Sequence, residues 1–312
     1  MLRNPYVTVH VDLERIRNNA QQIHTLTKVP VMAVVKADAY ALGAAKVVEA
    51  LGEIVDSFCV FDLHESVEAQ IYRQTGKRTL ALGPPASMNP ADFHAAGVTP
   101  AVSTLEQAVL LRNARPALCV DTGMQRFACP ADKIDAVMRS GDCREAFTHG
   151  TRVEHARLLK ELCGKFNVPL HACATSLLQE PEARLDAVRP GLALYRGAAR
   201  VVTSLVEVHE STGPAGYSGF VNPRHGIILM GYAHGLRPGV CTVNGTKRTV
   251  LEVGMQTAYV EIGSKDRVGD EVALMDETVN DQVLAELWGV SPHEVLSHLC
   301  ASGRKQYDGD EG

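Results

Sequence analysis

The chain has 312 residues, 46% hydrophobic and 21% charged, enough for one large domain or a large and a small one. Its formal net charge of −5 argues against nucleic acid or an anionic membrane surface as the partner, and no apolar run approaches a membrane span. Its 8 cysteines include no CxxC pair and no cluster with histidine at zinc spacing, so the expectation is no metal and reduced thiols in a cytoplasm.

The first residues lack the charged-then-apolar pattern of a secretory signal. The stretch "VTVHVDLERIRNNAQQIHTL" opens as an alternating strand and passes into a helix. Asp12 is placed to cap that helix, with Leu13, Ile16, Ala20 and Ile23 on one face. A rhythm follows. Short apolar runs recur at "VMAVVK", "FCVFD", "TLALG", "TPAVS", "ALCVD", "EAFTH", "PLHAC" and "DAVRPG", with helical periods such as "AAKVVEAL" and "LEQAVLLRN" between most of them. Ser103 and Glu106 form a capping-box pattern ahead of the last. Fully apolar strands alternating with amphipathic helices imply a parallel sheet covered by helices, here a (β/α)8 barrel of the TIM type over about residues 8–199. The connection from Asp121 to Thr148 reads as irregular.

After Gly197 the texture changes to alternating, β-branched strands punctuated by Gly and Asn, with "VNGTKRTV" reading as a hairpin. Residues 200–312 are expected to form a mainly-β domain, with the first strand, about 6–11, packing with it. A helical tail, "NDQVLAELWGVSPHEVLSHLC", follows, and "GRKQYDGDEG" is expected to fray.

In a barrel of this type functional groups gather at the C-terminal ends of the strands, which here carry Lys36, Asp121, His149, His171 and Arg189. A lysine desolvated at such an end can be neutral and nucleophilic, while one that snorkels to solvent is inert. Pattern alone leaves both readings open.

The segments "AVVKADAY", "VDTGMQR", "FTH", "VRPGLALY", "GYAHG", "VGMQTAYVEIG" and "GDEVALM" together resemble, in order, the motifs of the alanine racemases, pyridoxal-phosphate enzymes of fold type III. The resemblance runs from about residue 6 to residue 307 and implies the same barrel-plus-β plan. It implies that Lys36 holds pyridoxal 5'-phosphate covalently and is one of two acid/base groups. Tyr232 would be the other, supplied across a homodimer interface. Tyr40, Gly191, Leu192 and either Thr175 or Ser176 would meet the cofactor phosphate. Arg189 would face the pyridine nitrogen, with His149 bonded to it. Arg126 and the Met255 N–H would meet the substrate carboxylate.

The chain also departs from the family pattern. Cys119 stands where many members carry a carbamylated lysine. His234, Gln256, Thr257, Glu252 and His293 replace an aspartate, an aspartate, a glutamine, an arginine and a tyrosine that buttresses the catalytic tyrosine. These changes fall around the substrate side and leave both acid/base groups in place. The implied activity is therefore racemisation of alanine or a related small amino acid, yielding a D-amino acid by two-base proton transfer at the α-carbon. The alternatives are a fold type III enzyme acting on a different amino acid or reaction (another racemase, a decarboxylase, an aldol-type enzyme), or a pyridoxal-phosphate-binding protein without turnover.

Overall fold

The computed structural model describes residues 3–308. The chain divides into two compact units. One contains Ile16–Ala39 and Ala44–Tyr195; the other draws together the N-terminal strand, Tyr40–Gly43 and the chain from Arg196 on.

The N-terminal strand is β1 (Asn4–Asp12). Asp12 caps the helix Leu13–Thr27 as expected, its Oδ1 accepting the Arg15 N–H at 2.7 Å. The first of the two units is the barrel. Strands β2 (Met32–Val34), β3 (Ser57–Val60), β4 (Thr79–Ala81) and β5 (Val98–Thr99) form one parallel four-stranded sheet. Strands β6 (Ala101–Val102), β7 (Ala117–Cys119), β8 (Glu145–Gly150) and β9 (Leu170–Cys173) form a second. Pro100 separates β5 from β6; lacking an N–H, it breaks the ladder inside what is otherwise one stave. The eighth stave is a single residue, Val188, bridged to Val31 on one side and Cys173 on the other, which closes the ring. The staves are almost wholly buried, which is why they read as unbroken apolar runs. One expected cap sits a residue later than read: Thr104 and Gln107, not Ser103 and Glu106, make the capping box of Leu105–Leu110. The Gln107 side-chain oxygen accepts the Thr104 N–H at 3.3 Å, and the Thr104 hydroxyl accepts the Gln107 N–H at 3.2 Å.

The second unit is built on one nine-stranded sheet. Its further strands are β10 (Ala199–Ser204), β11 (Glu207–Glu210), β12 (Arg224–Ile228), β13 (Gly239–Val243), β14 (Thr246–Val253), β15 (Ala258–Glu261), β16 (Glu271–Met275) and β17 (Gly303–Asp308). Their order is β11-β12-β15-β14-β13-β16-β10-β1-β17. The β13–β14 hairpin turns on Asn244 and Gly245, at φ 48° and 75°, the left-handed pair that a two-residue turn requires. The expected fraying fails for residues 303–308. They pair in parallel with β1, their side chains alternating between half-buried and exposed along the sheet edge. Residues 309–312 lie outside the described part.

Candidate active site

Lys36 follows β2 after one residue, Val35, and the backbone there is unusual. Residues 36–41 wind into one helical turn of left-handed sense, with Ala37, Asp38, Ala39, Tyr40 and Ala41 all at φ between 53° and 65°. For L-residues this hand costs about 1–2 kcal/mol per residue, so neighbours must hold it. Within the barrel unit the Ala39 N–H reaches the Val35 carbonyl at 2.9 Å, and Asp38 Oδ1 accepts the Ala44 N–H at 2.7 Å. The Ala37 N–H donates to Glu65 Oε1 at 2.8 Å. Tyr195 Oη fixes the strand just upstream by donating to the Val34 carbonyl at 2.8 Å.

The amine so presented lines a cavity with Cys119, Arg126, His149 and Arg189, and the rings of Phe61 and Phe127 meet edge-on at its rim, 6.4 Å apart. Burial is the main reason that the Lys36 proton affinity falls below the ordinary lysine value; Arg126 and Arg189 lower it further, and Glu65 opposes them. His149 is driven the same way, to about 4, by desolvation and then by Arg189, Arg126 and Lys36, so its imidazole is neutral at physiological pH. Burial pushes the Cys119 thiol up to about 11, which leaves the cavity without a thiolate.

Arg189 is fully enclosed. Its Nη2 donates to the Thr148 carbonyl and, at 3.4 Å, to that of His171, rather than to the His149 ring as the resemblance implied. The guanidinium lies over the Phe147 ring, 5.0 Å from its centroid. Its Nε–H is buried without a partner. Thr175 Oγ1 lies 3.2 Å from the N–H groups of both Gly191 and Ala193, bracketing Leu192, whereas Ser176 is exposed. Of the two hydroxyls left open by the sequence, Thr175 is therefore the one set at this turn.

Two strand-end candidates are occupied otherwise. The Asp121 carboxylate accepts the N–H groups of Gly123 and Gln125, at 2.8 and 3.0 Å, and shapes the loop that carries Arg126. His171 lies in the barrel core, stacked on Phe147 at 5.4 Å, with Nε2 3.3 Å from Glu145 Oε2. Arg78 reaches the same carboxylate oxygen at 2.6 Å. Neither Glu145 nor Glu65 stood out in the sequence. The only signal for Glu65 was its spacing of three from Asp62, which does cap the helix Leu63–Glu68.

In the sheet unit, Tyr40 is buried and its phenol is pushed up to about 12, so it is a neutral donor. The ring of His293 lies against it, centroids 5.6 Å apart. Tyr232 and Met255 are both exposed, 58% and 60% accessible. The Tyr232 N–H bonds the Gly254 carbonyl at 2.9 Å, and the Ala233 N–H bonds that of Met255 at 3.0 Å. Gly231 permits this approach, since a Cβ there would lie 2.3 Å from the Gly254 carbonyl oxygen. His234 is buried, its Nδ1 facing the Gly231 N–H at 3.4 Å, so it braces the Tyr232 turn from within.

Comparison with known proteins identifies the family and the fold. The family profile described as "Alanine racemase, N-terminal domain" matches residues 11–199, more than half of the chain. The alanine racemase of Carboxydothermus hydrogenoformans is 27% identical, the match covering 94% of this chain and 97% of that protein. The biosynthetic alanine racemase of Escherichia coli K12 is 26% identical, covering 96% and 98%. Among solved structures, the alanine racemase of Bartonella henselae with covalently bound pyridoxal phosphate superposes with a TM-score of 0.87 at 19% identity, over 98% of this chain and all of that one. The biosynthetic enzyme of Pseudomonas aeruginosa gives 0.85 at 22% identity, with 98% and 100% coverage. The barrel and the sheet unit are thus the fold of these enzymes, and the chain belongs to the alanine racemase family.

Proposed function

We propose that the protein is a pyridoxal-phosphate-dependent alanine racemase, an isomerase acting as a homodimer in a reducing, cytoplasmic setting. The observation that carries this reading is the Lys36 amine: desolvated, flanked by two arginines, and presented at the end of a barrel strand by a left-handed turn. The donor set fits the cofactor. An aldehyde needs a neutral amine, and a pyridine nitrogen is an acceptor suited to the unpartnered Arg189 Nε–H. The Gly191–Leu192 turn with Thr175 suits a phosphate, and the neutral Tyr40 phenol is the donor that the resemblance assigns to it.

When bound, the cofactor withdraws electrons from the amino-acid α-carbon and so weakens its C–H bond. Everything else falls to the chain. Arg189, permanently charged, disfavours a proton on the ring nitrogen and so limits how much charge the ring accepts. Arg126 and the Met255 N–H hold the substrate carboxylate. Lys36 Nζ takes the α-proton from one enantiomer and Tyr232 Oη from the other; each returns a proton on the face opposite to the one attacked. Tyr232 serves this role from the partner subunit, its exposed face being available for such an exchange.

Incubation with L-alanine in deuterated water tests the proposal. D-alanine carrying α-deuterium is the expected product, and neither isomerisation nor exchange would reject it. The Phe61–Phe127 rim also favours a second reading, a racemase of a more apolar side chain. A higher kcat/KM for such an amino acid than for alanine would select it.

A further inference from the structure

We propose that Glu65 is a positioning residue for Lys36: one carboxylate fastens the first peptide of the left-handed turn and supplies the negative charge that bears on the lysine amine. The inference rests on the reading of Lys36 given above. Both carboxylate oxygens are spent on backbone. Oε1 accepts the Ala37 N–H at 2.8 Å, and Oε2 accepts the Phe61 N–H at 2.6 Å. The Glu65 N–H is itself held by the capping carboxylate of Asp62 at 3.1 Å. Glu65 therefore ties the residue after Lys36 to the residue after β3, and it cannot swing away without releasing both. A Glu side chain spans the gap between these two strand ends; a shorter one does not reach both amides.

The charge matters as much as the reach. Arg126, Arg189, Cys59, Cys119 and His149 are the other titratable groups that bear on or line this cavity. The arginines repel a protonated Lys36. Burial keeps both thiols protonated, Cys59 at about 12 and Cys119 at about 11, and His149 is neutral. Asp121 also lines the cavity as a carboxylate, yet it is not among the charges that bear on Lys36. Glu65 is thus the anion opposing the two arginines, and no ion pair joins it to Lys36 among the described residues. That separation suits the chemistry. A direct ion pair would hold the amine protonated and unreactive, while a fixed charge at a distance lets it lose a proton and regain one.

Labelling of Lys36 by trinitrobenzenesulfonate across pH, read by peptide mapping on the full-length chain freed of cofactor, tests the charge; kcat of the holoenzyme tests the reach. Glu65→Gln removes the charge and should raise the Lys36 labelling rate about threefold or more at a fixed pH on the acid side of its midpoint, other lysines being unchanged. The acid limb of the kcat/KM profile should move to lower pH with it. Glu65→Asp keeps the charge but loses one amide, and should hold the midpoint near wild type while lowering kcat. A midpoint that Glu65→Gln leaves in place, or that both variants move alike, overturns the proposal. If Glu65→Gln does not fold, Glu65→Asp decides: unchanged kcat contradicts it. The labelling needs no cofactor, so its outcome is separate from whether the cofactor bonds Lys36.

Discussion

Burial, Arg126 and Arg189 all push the Lys36 amine toward its neutral form, the form that attacks a carbonyl. Tyr232 differs in kind, because its ring is exposed. Replacing Tyr232 by Phe should slow α-proton removal from one enantiomer by about 10²-fold or more, and from the other far less, when solvent exchange is followed separately for L- and D-alanine. Equal, mild losses would reject its role. Glu145 carries a different prediction. Burial raises its proton affinity, but His171 and Arg78 override this and hold the carboxyl at about 2, against an ordinary 4.5. A carboxyl depressed by folding stabilises the native state above its ordinary value, and that contribution is lost as pH falls from about 4.5 toward about 2. Glu145→Gln should therefore cost about 2–3 kcal/mol at neutral pH, less than for a fully enclosed pair because Arg78 reaches solvent. The deficit should shrink on acidification; denaturant unfolding at pH 7 and pH 3 measures both.

At the scale of elements, the left-handed turn decides where the amine points. Ala37 is exposed at φ 53°, so a substitution there tests backbone strain with little change in packing. Ala37→Val should destabilise the fold by about 1–2 kcal/mol and reduce covalent cofactor content, whereas Ala37→Gly should retain both. A thermal unfolding midpoint unchanged by valine would contradict this. Nothing in "KADAYA" announces the turn. Left-handed backbone is usually signalled by Gly or Asn, and this run has neither; its hand is imposed by Glu65, Val35 and Ala44 from outside. The buried staves were legible because a parallel strand covered on both faces must be apolar. The closing stave at Val188 was legible as "DAVRPG" but not its brevity, since one bridged residue leaves no period to read. β17 was missed for the opposite reason: an edge strand with one half-covered face, "GRKQYD", has the composition of a tail. Long-range partners such as Arg78, just before β4, Glu145 in β8 and His171 in β9 lie far apart along the chain, and no spacing relates them.

For the whole molecule, the central consequence of the proposed homodimer is a site shared between two chains. The proposed acid/base pair divides between the barrel unit, which holds Lys36, and the sheet unit, which exposes Tyr232. Sedimentation should show a dimer. Mixing inactive Lys36→Ala and Tyr232→Ala proteins under conditions that exchange subunits should restore activity, because a mixed dimer contains one site with both groups intact. No regain after verified exchange would mean that each chain supplies its own tyrosine. All of this presumes that Lys36 is where the cofactor is held. The most direct check is to reduce the purified, pyridoxal-phosphate-loaded protein with borohydride and map the pyridoxyl group by peptide mass. The account predicts a single modified peptide containing Lys36; a pyridoxyl group on any other lysine, or none, would contradict it.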